Sequence, residues 1–100
     1  MNQHTTTLDN LAEYLRAGWA KAVADPNATA EQKVAGSLKG TFLIYLENYG
    51  PDALLDYTTD YLDRLTALDE HTATPHAVRH NLSHLIVTTE VVIARLRHLK

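Results

Sequence analysis

Cysteine is absent from this chain, which removes disulfides, thiolate metal sites and cysteine nucleophiles together and fits a reducing compartment. Glycine and proline are scarce, four and three in 100 residues, so there are few places to break a regular element. No apolar run approaches the roughly 20 residues of a membrane span. The longest, Phe42 to Leu46, is a core segment. The opening Met1-Asn2-Gln3-His4 and three threonines hold neither a basic nor an apolar stretch, so no signal peptide is expected. A cytoplasmic protein is the resulting expectation, and the glycosylation acceptor Asn27-Ala28-Thr29 then carries no meaning. Also missing are phosphate-cradling glycines, a His-Glu-x-x-His pair, a Glu-x-x-His pair for a di-iron bundle, and any internal repeat.

What is present is an ordinary globular composition, 45% apolar and 21% charged, in a length suited to one domain with one core. Residues 1–7 are expected to form a flexible N-terminal segment and residues 8–100 a single helical domain. The net charge of −3 conceals a division along the chain. Residues 1–46 hold four acids and four bases, whereas residues 47–70 hold seven acids and only Arg64 as a base. Residues 71–100 reverse the balance, with Glu90 against Arg79, Arg95, Arg97 and Lys100. Charge of this kind speaks to partners and not to fold.

Punctuation divides the chain into four helices. The first runs from about 8 to 24, with Thr7 as cap and Leu8, Leu11, Leu15, Gly18/Trp19 and Ala22 in a three-four rhythm. Asp25-Pro26-Asn27 stops it. The second runs from about 30 to 49, opened by the capping box Thr29-Ala30-Glu31-Gln32 and closed by Gly50. It is expected to be the most buried helix. The third runs from about 51 to 68, with Pro51 in its first turn. The fourth runs from about 75 to 98, with Thr74-Pro75 read as cap and first turn. Short connections imply an all-α, antiparallel four-helix bundle or a close relative.

Two ladders at helical spacing are the features that look most like function. Asp52, Asp56, Asp60 and Asp63 share one side of the third helix, and His76, His80 and His84 share one side of the fourth. At about 100° per residue each ladder lies opposite its own helix's apolar stripe. Both should therefore face outward, and no acid–imidazole pairing within one molecule is expected. No catalytic residue and no cofactor are assigned on this basis.

The Asp ladder is either a solvated face or a docking surface for a basic partner. Like charges at this spacing cost a few tenths of a kcal/mol per pair, which gives the second reading some weight. The His ladder continues through Val87 and Val91, giving the fourth helix a second uncharged face. Three readings stand: histidines satisfied deep in the bundle, a face for a partner or a second copy through the fourth helix, or metal binding at His76, His80 and His84. The last needs outside ligands, because His76 and His84 lie about 12 Å apart along the axis and a closed zinc site needs four ligands. As an interface, this face would loosen as its imidazoles gain charge in acid.

Gly36-x-x-x-Gly40 on the second helix, beside Lys33 and Lys39, is expected to mark a close helix crossing and not a membrane dimer. Trp19, Phe42, Tyr45 and Tyr61 read as core residues, with Tyr49 and Tyr57 at a rim. Four bases near the C-terminal end do not make a nucleic-acid footprint. Small acidic bundles of similar size include bacteriocin-immunity proteins and phage-encoded inhibitors, an analogy of shape that no motif carries. The reading that remains is a non-enzymatic protein-interaction bundle of regulatory, inhibitor or immunity type. Its candidate surfaces are Asp52, Asp56, Asp60 and Asp63, and His76, His80, His84, Val87 and Val91. The alternative is a histidine-dependent metal or cofactor binder.

Overall fold

A computed structural model describes residues 7–71 and 74–99, with four helices and no strand among them. They are α1 (Leu8–Ala24), α2 (Ala30–Tyr49), α3 (Pro51–Glu70) and α4 (His76–Arg97). The expected all-α bundle forms, and α3 runs two residues past the expected Leu68. The N-terminal segment lies outside the described residues except for Thr7.

Each helix start has a visible cause. The Thr7 hydroxyl accepts from Asn10 N at 3.1 Å, which satisfies one free amide of the first turn of α1. At α2 the capping box closes both ways: Gln32 N donates to Thr29 Oγ1 (3.1 Å) and Thr29 N to Gln32 Oε1 (2.9 Å). Gly50 alone separates α2 from α3, at φ 89°, a left-handed conformation that glycine adopts without a Cβ clash. The start of α4 departs from the sequence reading. Thr74 does not cap it; its hydroxyl donates to Leu68 O (2.7 Å) and closes the end of α3 instead. Arg79 reaches back to the same corner, donating from Nη2 to His71 O (2.8 Å).

The core is one cluster of Leu11, Leu15, Leu38, Phe42, Leu43, Leu46, Leu54, Val92 and Leu96, drawn from all four helices. Phe42 lies fully buried at its centre, edge-on to Tyr57 and Tyr61 with ring centroids 6.1 and 6.0 Å away. Thr58 and Thr89 are also fully buried. Their hydroxyls are satisfied locally, donating to Leu54 O and Leu85 O, each at 2.8 Å. α2 is the hub: it packs on α1, α3 and α4, while α1 rests almost entirely on α2.

The α1/α2 crossing is close. A Cβ on Gly36 would overlap the Ala22 methyl and lie 3.0 Å from Gly18 O. A Cβ on Gly40 would lie 2.5 Å from the Trp19 ring. The glycine pair therefore does serve a close crossing, and Gly18 and Ala22 are the matching small residues on α1. The same contact corrects the reading of α1: Trp19 does not enter the core. It lies across the bare surface of Gly40 and stays 46% exposed, and Leu8 is comparably exposed. Near the other end of the crossing, Tyr14 is covered by Arg95 from α4, whose guanidinium carbon sits 4.1 Å from the ring centroid.

Candidate functional site

The buried stripe of α3 is Leu54, Thr58 and Leu65, and helical phase puts Asp52, Asp56, Asp60 and Asp63 on the far side. All four are exposed. Arg64, the one base on α3, bridges Asp60 at 2.9 Å. This is an exposed pair at four-residue spacing, worth about 0.3–0.5 kcal/mol. Asp52 also complements the positive end of α3, in whose first turn it lies.

At the border of this acidic face sits a row of tyrosines, assembled because the end of α2 turns directly into α3. Tyr45 and Tyr57 stack face to face, with centroids 4.5 Å apart and planes within 10°. Tyr49 leans on Tyr45 at 4.7 Å and remains 68% exposed. The expectation of a rim agrees for Tyr49, whereas Tyr57 is half-buried and packs on the core with Tyr45 and Tyr61. Burial raises the Tyr61 hydroxyl above its ordinary range, with the neighbouring Tyr57 adding to the shift. Tyr61 therefore belongs to the packed side of the row.

On α4 the buried side chains are Leu82, Thr88, Thr89, Val92, Ile93 and Leu96, and His76, His80 and His84 are exposed on the other side. Val87 lies among them at 58% exposure, while Val91 is half-buried. The histidines are therefore not satisfied deep in the bundle, which removes the first of the three readings.

One contact overturns an expectation. His80 does find a carboxylate within the molecule, from outside the Asp ladder. Glu31 in the first turn of α2 accepts from His80 Nε2 at 3.0 Å. A carboxylate can only accept, so this bond requires the proton on Nε2. His84 lies edge-on to His80, with ring centroids 5.3 Å apart. The Glu31 carboxyl is held below its ordinary range, chiefly by hydrogen bonding to its own backbone N–H, then by the Thr29 hydroxyl, with smaller help from His80. Partial desolvation opposes these causes. Glu31 drew attention in the sequence only as part of a capping box. Its meeting with His80 depends on the N-terminal ends of α2 and α4 lying side by side.

The structure thus separates the acidic ladder from the imidazole ladder and gives the latter a different acid. Among the described residues, no group of three or more His, Asp or Glu side chains is arranged to hold a metal ion. No described helix is long and apolar enough to cross a membrane. The sequence reading also missed a groove between α1 and α2. Arg16, Trp19, Gly40, Leu43, Ile44 and Glu47 line it, around a space of about 300 Å³. Its signal in the sequence was Ile44, an apolar residue off the buried stripe of α2. Compared with known proteins, the chain matches no family model, no curated protein and no solved structure.

Proposed function

We propose that this chain is a non-enzymatic interaction protein that binds a basic protein surface through the outward side of α3, with the His/Val side of α4 as a second contact surface. The observation that carries this reading is the exposed row of Asp52, Asp56, Asp60 and Asp63, with Arg64 as the only base on its helix. The neighbouring tyrosines support it. Carboxylates together with an exposed aromatic, here Tyr49, suit arginine, whose planar guanidinium takes both a carboxylate and a ring face. On α4, Val87 with His76, His80 and His84 offers a second exposed surface, bordered by Glu31 at His80.

The test replaces all four acids by Asn, which keeps their shape and removes mutual repulsion along the helix. Parent and variant, matched by circular dichroism, serve as baits for co-purification. A basic protein retained by the parent and lost by the variant is the expected result. Basic partners held equally by both baits would overturn the assignment of the α3 face. Histidine-dependent metal binding is the second reading, favoured only by the close approach of His80 to His84. Zinc titration followed by NMR of the imidazole protons decides it: coordinated shifts at His80 and His84, lost in His80→Ala, would support metal.

A further inference from the structure

We infer that the α1/α2 face is a self-association surface and that its occupant is a second copy of this chain. The surface differs from the α3/α4 faces already discussed and rests on separate observations. Since α1 packs almost entirely on α2, the hairpin leaves a broad outer side uncovered. That side holds three of the exposed apolar residues of the first half of the chain: Trp19 at 46%, Ile44 at 63% and Val23 at 70% exposure. Trp19 and Ile44 line the same groove, and Val23 follows Trp19 one turn along α1. The indole lies against Gly40, and about half of its surface is presented to solvent. Tryptophan in such a setting is the residue type most enriched among strong interface contacts.

Charge selects the occupant. The groove is lined by one base, Arg16 on α1, which makes an exposed bond to Glu13 at 3.2 Å, and by one acid, Glu47 on α2. In a two-fold pairing each contact occurs twice, so an Arg16 that exchanges Glu13 for Glu47 of the other copy does so on both sides. The face is complementary to itself. The remaining surfaces suit a second copy less well: the α3 face would set four aspartates against four with only Arg64 to offset them, and on the α4 face Glu31 is already bonded to His80 within the chain. The α1/α2 hairpin, residues 8–49, is close to balanced, with five acids and four bases.

The area is of the order that a pairing takes. α1 is 17 residues long, about 25 Å at 1.5 Å per residue. Two helices about 10 Å apart then give a face on the order of 500 Å² in projection, more once side-chain relief is counted. A stable interface takes about 800 Å² of accessible surface from each partner. Such a dimer uses most of the hairpin face and leaves both acidic α3 faces free.

Sedimentation velocity across the micromolar range tests the proposal on the full chain. The parent is expected to run as a concentration-dependent dimer, and Ile44→Lys to weaken dimerisation by about tenfold or more, because a lysine must then be buried. Ile44 is exposed in the monomer, so the variant should retain the parent's circular dichroism. Charge reversal adds an independent arm. Arg16→Glu and Glu47→Arg each weaken the dimer, and the double variant recovers it. A parent that stays monomeric at all concentrations overturns the proposal. So does a dimer indifferent to Ile44→Lys, or one lost on Val87→Lys instead, which would place the contact on α4. A double charge variant no stronger than either single one refutes the mutual Arg16–Glu47 pairing.

Discussion

Replacing Gly36 by alanine offers the sharpest test of how this fold is held together, because two effects oppose each other and the structure says which wins. In a helix interior alanine is better than glycine by about 1 kcal/mol. Against that, the new methyl would overlap the Ala22 methyl and press on Gly18 O, both fixed to the backbone of α1. Neither neighbour can rotate away, so α1 and α2 must move apart along a contact that includes the buried Leu11 and Leu15. Overpacking of this sort costs about 1–3 kcal/mol, and rigid neighbours place it at the upper end. The net loss is about 1–2 kcal/mol, or a fall of roughly 5 to 15 °C in Tm for a domain of this size. Gly18→Ala is the control. Its methyl would meet only the Lys39 side chain, which can swing aside at the cost of its position over Tyr14. The propensity gain and that lost contact are each about 1 kcal/mol, so Gly18→Ala should stay within about 0.5 kcal/mol of the parent. Both variants are to be melted side by side by calorimetry or circular dichroism. If Gly36→Ala is as stable as Gly18→Ala, the close crossing is not a constraint and the argument fails.

Two further outcomes follow from the packing and the electrostatics. Phe42→Ala removes a fully buried ring and its edge contacts to Tyr57 and Tyr61. It should cost about 3–5 kcal/mol in urea denaturation, and a loss under about 1.5 kcal/mol would mean the centre of the core is misplaced. Glu31 has a lowered pKa in the folded chain, so its contribution is present above its unfolded value and is lost as pH falls through the folded one. Glu31→Gln should therefore flatten the decline in stability between about pH 5 and pH 3. Because its own backbone N–H and Thr29 come before His80 among the causes, His80→Ala should leave most of the lowering in place by carboxyl NMR titration. A return of Glu31 to the ordinary carboxylate range in His80→Ala would show that the order of causes is wrong.

Much of the fold could be read from local chemistry. Thr7, the Thr29–Gln32 box and Gly50-Pro51 mark helix boundaries because each satisfies, or does without, backbone groups within a few residues. Ladder directions were legible for the same reason, since they need only a period of 3.6 and an apolar stripe. What failed depended on distance along the chain. Thr74 looks like a cap in sequence, but Leu68 O, six residues back, offered its hydroxyl a partner at the exposed end of α3. Trp19 fits the rhythm of α1, yet the bare surface at Gly40 gave the indole a place outside the core. The Glu31–His80 bond joins residues 49 apart and follows from the side-by-side placement of α2 and α4. No periodicity within one helix could disclose it.

Gly50 has a kinetic consequence. It is the whole of the connection between α2 and α3, and the largest contacts follow chain order: α1 on α2 and α3 on α4. Topologies dominated by such local contacts fold in microseconds to milliseconds, since little loop entropy is lost before contacts form. Each hairpin can assemble by itself, and the remaining event is the swing that brings α3 and α4 back onto α2. That swing is governed by one residue at φ 89°. An alanine at position 50 would leave four good helices and an intact core pattern, yet its methyl disfavours the left-handed conformation on which docking depends. The main loss should then appear as slower refolding rather than faster unfolding, which is the signature of a contact already made at the barrier.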